Sequence, residues 1–173
     1  MEATERDTES AFDVFRIVIE FLLTALGLCP TDMALAGWAC MDRFEAPNQE
    51  GAHPLVMQSA EDGNAYCESV GKRLCTEAEW DAACEASSAP CNNDKQWRPW
   101  DRQTVNAARE TARLWQGSPS GAYPACRTWS GIFDLQGNVE EWVVSEDGRD
   151  WPFTLKGGWW AKRTACRKSN DAH

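Results

Sequence analysis

The chain has 173 residues, of which 43% are apolar and 25% charged, a composition typical of one globular domain. Its 17 basic and 27 acidic residues leave a net charge of −10, which argues against a nucleic-acid partner because few phosphates could be neutralised. The same acidity suits the binding of a hard cation.

Eight cysteines are spread along the chain without a Cys-x-x-Cys pair, and the histidines are His53 and His173. Structural zinc sites usually show short Cys/His pairs, so the spacing disfavours zinc. Reduced thiols in a cytosolic protein are one alternative. An even number of dispersed cysteines favours disulfides and an extracytoplasmic location, periplasmic or secreted.

Residues 1–28 are predicted to form a signal-like or amphipathic helical segment, and a misplaced start codon is a third explanation. The apolar run 17–28 imitates the core of an export signal, although Glu20 interrupts it. Export signals begin basic, whereas residues 1–10 carry four acids and one base. The run is too short to cross a bilayer, which takes about 20 residues. No transmembrane span is therefore expected.

The domain itself is predicted to cover residues 29–173. Residues 29–45 indicate a strand, a turn and a second strand. A first helix is expected to begin after Ser59, with Asp62 at its third position and Gly71 at its C-terminal end. Its predicted buried face consists of Ala65, Tyr66, Cys67 and Val70.

A second helix is predicted to begin at Thr76, because Thr76 and Glu79 have the spacing of a capping box. Its buried stripe should contain Trp80, Ala83 and Cys84, which follow helical spacing.

Little regular structure is expected in the rest of the chain. Residues 86–131 are rich in Pro, Asn, Asp and Gly and predict a long loop, whereas 132–144 and 153–160 predict short strands around turns. Two helices followed by short strands indicate an α+β fold with long loops.

Several charged and aromatic residues are assigned structural roles. Arg73 is expected to pair with Glu79 or Glu141, and an ion-pair network is expected among Asp42, Arg43 and Glu45. The tryptophans of the second half are expected to fill the interior or to line a ligand groove. They are Trp97, Trp100, Trp115, Trp129, Trp151, Trp159 and Trp160.

Four strings carry a family resemblance: MDRFEAPN (41–48), YCESVGKRLCTEAEWDAAC (66–84), GIFDLQGNVEEW (131–142) and LKGGWW (155–160). Together they resemble the sulfatase-modifying factor, or formylglycine-generating enzyme, family over roughly residues 29–167. The resemblance implies an α+β domain of the C-type lectin-like fold, stabilised by disulfides and bound calcium.

Active members of that family oxidise a cysteine of a sulfatase to formylglycine with copper held by two thiolates. Lys162 stands near the position of the first copper cysteine, and Arg167 near that of the second. Only Cys166 follows the glycine pair, and one thiolate does not make such a site for soft Cu(I). Copper is therefore not expected.

The resemblance also implies that Cys84 pairs with Cys166. The family partner of Cys67 lies in a C-terminal strand beyond the point where this sequence stops, so Cys67 is expected to find a substitute or to stay reduced. Cys29 and Cys40, on facing predicted strands, are the best remaining pair.

Calcium is implied at the turn FDLQGNVEEW through Asp134, Gly137, Val139 and Glu141, with Asn106 as the counterpart of a second site. Carbonyl and carboxylate oxygens of a tight turn are suitable calcium ligands. The alternative is a plain turn followed by two solvated glutamates.

Three functions are consistent with these features. The first is a non-catalytic member of the family that binds a peptide or protein ligand outside the cytoplasm or serves as a structural module. The second is an active formylglycine-generating oxidase, and the third is a lectin-like recognition domain.

Overall fold

Two helices and six short strands make up the regular structure of the described residues, which are 27–87, 117–146, 150–159, 162–163 and 165–169 of a computed structural model. Some predictions concern residues that the structure does not describe. They are the predictions for residues 1–26, Asn106, Trp97, Trp100, Trp115 and Trp160. In chain order the elements are β1 (Met33–Ala36), β2 (Ala39–Asp42), α1 (Ala60–Ser69), α2 (Glu77–Glu85), β3 (Glu141–Val144), β4 (Phe153–Lys156), β5 (Gly158–Trp159) and β6 (Lys162–Arg163).

The strands form three antiparallel pairs. β1 pairs with β2 in a register that opposes Met33 to Asp42, as the strand–turn–strand prediction required. β3 pairs with β4, opposing Glu141 to Lys156, and β5 pairs with β6. A parallel bridge from Thr76 to Val144 ties the start of α2 to β3. This mixture of helices and small antiparallel sheets is an α+β arrangement.

Both helices begin with complete capping boxes. The Ser59 side chain accepts from the Asp62 amide, and Thr76 accepts from the Glu79 amide, while each acid reaches back to its N-cap amide. These contacts satisfy amide groups that have no partner within the helix. The sequence signatures therefore placed both helix starts correctly.

The core joins the first hairpin, α2 and the segment before β3. Trp80 lies at its centre with 1% of its surface exposed. Its other members are Ala34, Ala36, Met41, Ala83, Cys84, Ile132, Leu135 and Val143. The predicted stripe of α2 is thus confirmed.

Two expectations about packing are wrong, and one about strands is confirmed only in part. Of α1 only Ala60 is buried, and Val70 is 49% exposed, because α1 lies at the surface of the described structure. Of the short strands predicted around a turn in 132–144, β3 forms after the turn at Gly137 and Asn138, whereas residues 132–136 contribute only an isolated bridge from Phe133 to Arg127. Trp129 and Trp151 are 55% and 57% exposed, so neither fills the interior.

Two disulfides join cysteines that are both among the described residues, Cys29–Cys40 and Cys84–Cys166, and they are the pairs predicted from the sequence. Cys126 is also disulfide-bonded. Cys67 and Cys75 are free thiols. None of the helices that the structure describes is long and apolar enough to cross a membrane.

Candidate functional site

A cavity of about 260 Å³ lies between the first hairpin, α1 and the start of β3. Its walls are largely carbon, with Met41, Leu74, Trp80, Ile132 and Val143 among the lining residues. The loop after the first hairpin contributes Pro54, Leu55 and Gln58. Glu45 and Glu141 also line this cavity, so two carboxylate side chains lie among the apolar residues of its wall.

Glu45 is the most unusual group in the cavity wall. It is 6% exposed, and its Oε2 accepts hydrogen bonds from Ser120 Oγ at 2.7 Å and Asn138 Nδ2 at 2.8 Å. Its Oε1 is buried and has no hydrogen-bond partner. Burial, reinforced by the negative charge of Glu141, raises the pKa of Glu45 to about 9.

Glu141 is the second carboxylate at the cavity. It is the first residue of β3 and accepts a hydrogen bond from Trp80 Nε1, which fixes its position against the core. Burial, with a further contribution from the charge of Asp134, raises the pKa of Glu141 to about 7. The pair is therefore partly protonated at neutral pH.

The turn before β3 carries the residues assigned to calcium. Asp134 Oδ2 accepts from the Gly121 amide at 2.7 Å, and the Gly137 amide donates to the Gly157 carbonyl at 2.8 Å. Val139 is buried against the core with 8% of its surface exposed. Asn106 lies outside the described residues, so the second calcium position is not described.

Asp134 and Glu141 are oxygen donors of the kind that calcium prefers. The charge of Asp134 raises the pKa of Glu141, and a bound dication would relieve that repulsion. The structure does not supply a cage of side chains, because no cluster of three His, Cys, Asp or Glu residues suited to a metal occurs among the described residues. Main-chain carbonyls of the turn would have to provide the remaining oxygens.

The cations beside the cavity already have carboxylate partners. Lys72 Nζ lies 2.6 Å from Asp42 and 2.9 Å from Asp32. Arg73 makes a two-pronged contact with Glu79, at 2.6 and 2.8 Å. The pairing of Arg73 with Glu79 confirms one of the two expected alternatives.

The expected network among Asp42, Arg43 and Glu45 does not form. Arg43 donates to the main-chain carbonyls of Thr31, Ser130 and Gly131 instead of to a carboxylate. Successive side chains of an extended segment point in different directions, so neighbours in sequence reach separate partners.

The two free thiols also line the cavity, but they are weak nucleophiles. Burial raises the pKa of Cys75 to about 12, and burial together with Asp42 raises the pKa of Cys67. Only a thiolate attacks or binds a soft metal, and these groups hold their protons at neutral pH.

The segment matched to the copper site has a different chemistry. Cys166 is bonded to Cys84, and Gln136 Nε2 lies 3.0 Å from the Cys166 sulfur. Arg167 forms an ion pair with Glu85 on α2. Lys162 belongs to β6, and the structure describes its backbone but not its side chain.

Glu45 was not identified as a site residue from sequence. Glu45 follows β2 in the string MDRFEAPN, where Asp42 and Arg43 are also charged, so the sequence alone did not distinguish it from its neighbours. Ser120 and Asn138, which hold it, are 75 and 93 residues away in the chain. Only the fold brings them together.

Comparison with known proteins places these features in a family. The family model for the sulfatase-modifying factor enzyme 1-like domain matches residues 22–173. A formylglycine-generating enzyme of Thermomonospora curvata is 30% identical over 115 residues, which are 59% of this chain and 36% of the relative.

Two other relatives carry different names. A Bos taurus protein named inactive C-alpha-formylglycine-generating enzyme 2 is 33% identical over 108 residues, 54% of this chain and 33% of the relative. A hercynine oxygenase of Mycobacterium tuberculosis is 33% identical over 101 residues, 57% of this chain and 23% of the relative. Each match thus covers from about a quarter to just over a third of the relative's length. Since the family model covers most of its length, the chain belongs to the family of sulfatase-modifying factor enzyme 1-like domains.

Proposed function

We propose that this protein is a non-catalytic, extracytoplasmic member of its family that binds a peptide or protein ligand in the cavity beside Glu45. Family membership alone does not decide catalysis, because the relatives include a formylglycine-generating enzyme and a protein named inactive. Whether this chain is catalytic depends on which side chains it has at the positions matched to the copper site.

The observation that carries the proposal is the disulfide between Cys84 and Cys166. Cu(I) favours thiolate ligands, and Cys166 is the one cysteine that follows the glycine pair at 157–158. A sulfur already bonded to another sulfur has no thiolate to offer. Lys162 and Arg167, at the two matched positions, are cations and do not bind Cu(I).

Two further features support the binding role. The cavity is open on one side and has largely apolar walls that also carry polar side chains, a combination found in small-ligand sites. The disulfides support a location in an oxidising compartment. A C-type lectin-like fold, which builds binding surfaces from irregular loops, agrees with the absence of helices and strands among the described residues 117–140.

The test of non-catalysis is an oxidation assay on the purified, disulfide-intact protein. A peptide containing Cys-x-Pro-x-Arg is incubated with the protein, Cu(I), oxygen and a thiol reductant too weak to open buried disulfides. Mass spectrometry should find the peptide cysteine unchanged. The appearance of formylglycine in the peptide would replace this proposal with the oxidase alternative.

Calcium binding by the turn 134–141 is a separate part of the proposal. Glu141 would be its side-chain ligand, and the raised pKa of Glu141 supports a need for positive charge there. Elemental analysis of protein purified without chelator should find calcium, and a chelator should lower the melting temperature. Glu141→Gln should remove both effects. A protein that contains no calcium and melts identically with and without chelator would contradict this assignment.

A further inference from the structure

Two free thiols share one cavity in a protein whose other described cysteines are oxidised. Of the seven cysteines that the structure describes, five are disulfide-bonded, and Cys67 and Cys75 are free. Both line the cavity of about 260 Å³. The proposed location is an oxidising compartment, where a free thiol can pair with a cysteine of another molecule.

Cys67 faces the cavity because of its place on α1. The residues that α1 contributes to the wall are Asp62, Gly63, Tyr66 and Cys67, which are three or four positions apart and so lie on one side of the helix. Leu74 packs against this side, since its Cδ2 would lie 3.9 Å from a Cβ at Gly63. Because α1 lies at the surface and Cys67 is only partly buried, this thiol lies between solvent and the cavity.

Cys75 is held more firmly in the protein. Its carbonyl accepts from the Val144 amide at 2.9 Å, and its side chain packs against the hydrophobic core. Burial raises the pKa of Cys75 to about 12. Burial and the charge of Asp42 also raise the pKa of Cys67, but the ammonium of Lys72 opposes them. Cys67 is therefore the thiol of this wall that is better placed to react with an incoming group.

The cavity wall favours an apolar group beside this thiol. It includes the side chains of Phe44, Leu55, Leu74 and Val143. Because Cys67 keeps its proton at neutral pH, a disulfide in free solution reacts with it slowly. A disulfide whose apolar group occupies the cavity is held next to the thiol, and its raised local concentration speeds the exchange. A volume of about 260 Å³ lies below the range of about 300 to 1,000 Å³ of sites for drug-sized ligands, so it suits a single side chain.

We propose that Cys67 attaches a peptide covalently, through a mixed disulfide with a cysteine that adjoins an apolar side chain, and that this side chain occupies the cavity. The inference rests on the proposed peptide-binding role of the cavity and names the chemistry of attachment.

The attachment is a thiol–disulfide exchange. The incoming peptide R carries its cysteine as a disulfide, R–S–S–R′. The Cys67 thiolate attacks the sulfur attached to R, so that the Cys67–S–S–R bond forms and the old S–S bond breaks. R′ leaves as a thiolate with the electron pair and takes up the proton that Cys67 lost. The peptide disulfide is itself the oxidant.

Two thiol reagents of different polarity test the selectivity on the full chain at pH 8 without reductant. They are benzyl methanethiosulfonate, which is apolar, and 2-hydroxyethyl methanethiosulfonate, which is neutral but polar; both transfer an R–S group to a thiol. The rate at Cys67, measured by peptide mapping, is divided by the rate of the same reagent with N-acetylcysteine. We expect this ratio to be at least about tenfold higher for the benzyl reagent, because burial of a group of that size is worth such a factor. Equal ratios would overturn the proposal.

Variants test the assignment to Cys67. Cys67→Ser should abolish the benzyl labelling, whereas Cys75→Ser, which removes the other free thiol of the same wall, should change the rate by less than about twofold. Leu55→Ser should lower the benzyl ratio and leave the hydroxyethyl ratio unchanged, since Leu55 lines the cavity. Preferential labelling of Cys75 would contradict the assignment. If Cys67→Ser does not fold, peptide mapping of the unaltered protein still identifies the labelled thiol.

Benzyl alcohol, which cannot form a disulfide, separates this inference from the proposed function. Its binding to the cavity residues is followed by NMR on the unaltered protein. If benzyl alcohol binds but both reagents give equal ratios at Cys67, the cavity is a ligand site and only the covalent attachment is wrong. If benzyl alcohol does not bind and the ratios are equal, both proposals about this cavity fail.

Two disulfide-linked peptide dimers test whether the source of the thiol is a peptide. One has phenylalanine next to its cysteine, and the other has serine in that place. Exchange with Cys67 that is at least about tenfold faster for the phenylalanine dimer supports a peptide. Equal exchange of the two dimers together with a high benzyl ratio would indicate a small organic thiol and overturn the peptide assignment.

Discussion

Lys156 Nζ lies 2.7 Å from Asp81 Oδ1, and the lysine side chain has no exposed surface. Glu77 lies 3.6 Å from the same nitrogen, and the Trp80 ring centre 5.5 Å from it. The contact with Asp81 is an ion pair rather than an aligned hydrogen bond, since Oδ1 accepts none. A single buried cation of β4 thus lies between two acids of α2 and offsets part of their negative charge.

Replacing this lysine should strongly destabilise the protein. Lys156→Met leaves Asp81 and Glu77 without their buried cation, and breaking a buried pair costs about 3–5 kcal/mol. Chemical denaturation should show this loss in the free energy of unfolding. Lys72→Met is the matched control, because Lys72 and its partners are partly exposed and such pairs contribute about 1 kcal/mol or less. Equal losses in both variants would contradict the burial argument.

A second prediction concerns Gly157, between β4 and β5. Its φ is +91°, and a Cβ there would lie 2.7 Å from the Leu135 carbonyl oxygen and 3.3 Å from the Trp80 ring. Gly157→Ala should therefore lower the free energy of unfolding by several kcal/mol, of which about 1 kcal/mol is the backbone penalty. The melting temperature and the denaturation midpoint measure this loss.

Gly71→Ala separates the two causes. Gly71 has a φ of +74°, and nothing lies within 4 Å of a Cβ there, so the variant should show the backbone penalty alone. If both alanine variants lose the same amount, the close approach of the Leu135 carbonyl to Gly157 has no energetic effect.

The sequence predicted those parts of the fold that depend on neighbours along the chain. Both capping boxes, the first hairpin and the stripe of Trp80, Ala83 and Cys84 follow from local spacing. The turn at Gly137 and Asn138 and the strand after it also follow from the sequence, whereas the irregular path of residues 132–136 does not, because alternating apolar residues there also suit a strand. Left-handed angles at Asp134 and Asn138 are set by distant partners, Gly121 and Glu45.

The site was less predictable than the fold. Family motifs led to Glu141 and to Cys166, whose disulfide excludes a thiolate. Glu45 was placed in a charged network instead, since a sequence shows a carboxylate but not that one of its oxygens lacks a donor. That property depends on the geometry of three separate segments.

The calcium-free protein, prepared with a chelator, should lose stability as the pH rises from about 4.5 to 9, because of Glu45 and Glu141. Their pKa values rise from 4.5 to about 9 and about 7, so the folded state binds more protons than the unfolded state between pH 4.5 and 9. The free energy of unfolding must then fall as pH rises through this window. Denaturation from pH 5 to 9 should show the decline, and Glu45→Gln should flatten it, most clearly above pH 7. An unchanged slope in the variant would contradict the raised pKa of Glu45.

Glu79 should make the protein less stable as the pH falls into the acid range, whereas Glu45 and Glu141 make it less stable as the pH rises. The Arg73 guanidinium lowers the pKa of Glu79 from 4.5 to about 2, so this contribution to stability is complete above pH 4.5 and is lost as pH falls towards 2. Glu79→Gln should destabilise the protein by about 1–2 kcal/mol at pH 7, a value reduced by the exposure of Arg73. Denaturation between pH 2 and 7 should show a smaller acid loss in the variant. If the loss of stability at acid pH is the same in the variant, carboxylates other than Glu79 cause it.

The Cys84–Cys166 disulfide, which supports non-catalysis, should also stabilise the protein more than Cys29–Cys40, because it closes a longer loop. Cys84 and Cys166 are 82 residues apart, and closing a loop of that length stabilises by about 4.5 kcal/mol in the chain-entropy model. The double variant Cys84→Ala/Cys166→Ala should lose about this amount in chemical denaturation without reductant. Cys67→Ala, which removes a free thiol, is the control and should lose less than about 2 kcal/mol. Reductant should destabilise the unaltered protein more than the double variant. If reductant destabilises both proteins equally, the Cys84–Cys166 bond does not constrain the unfolded chain. The stability measurements would then not support the conclusion that Cys166 is unavailable to copper.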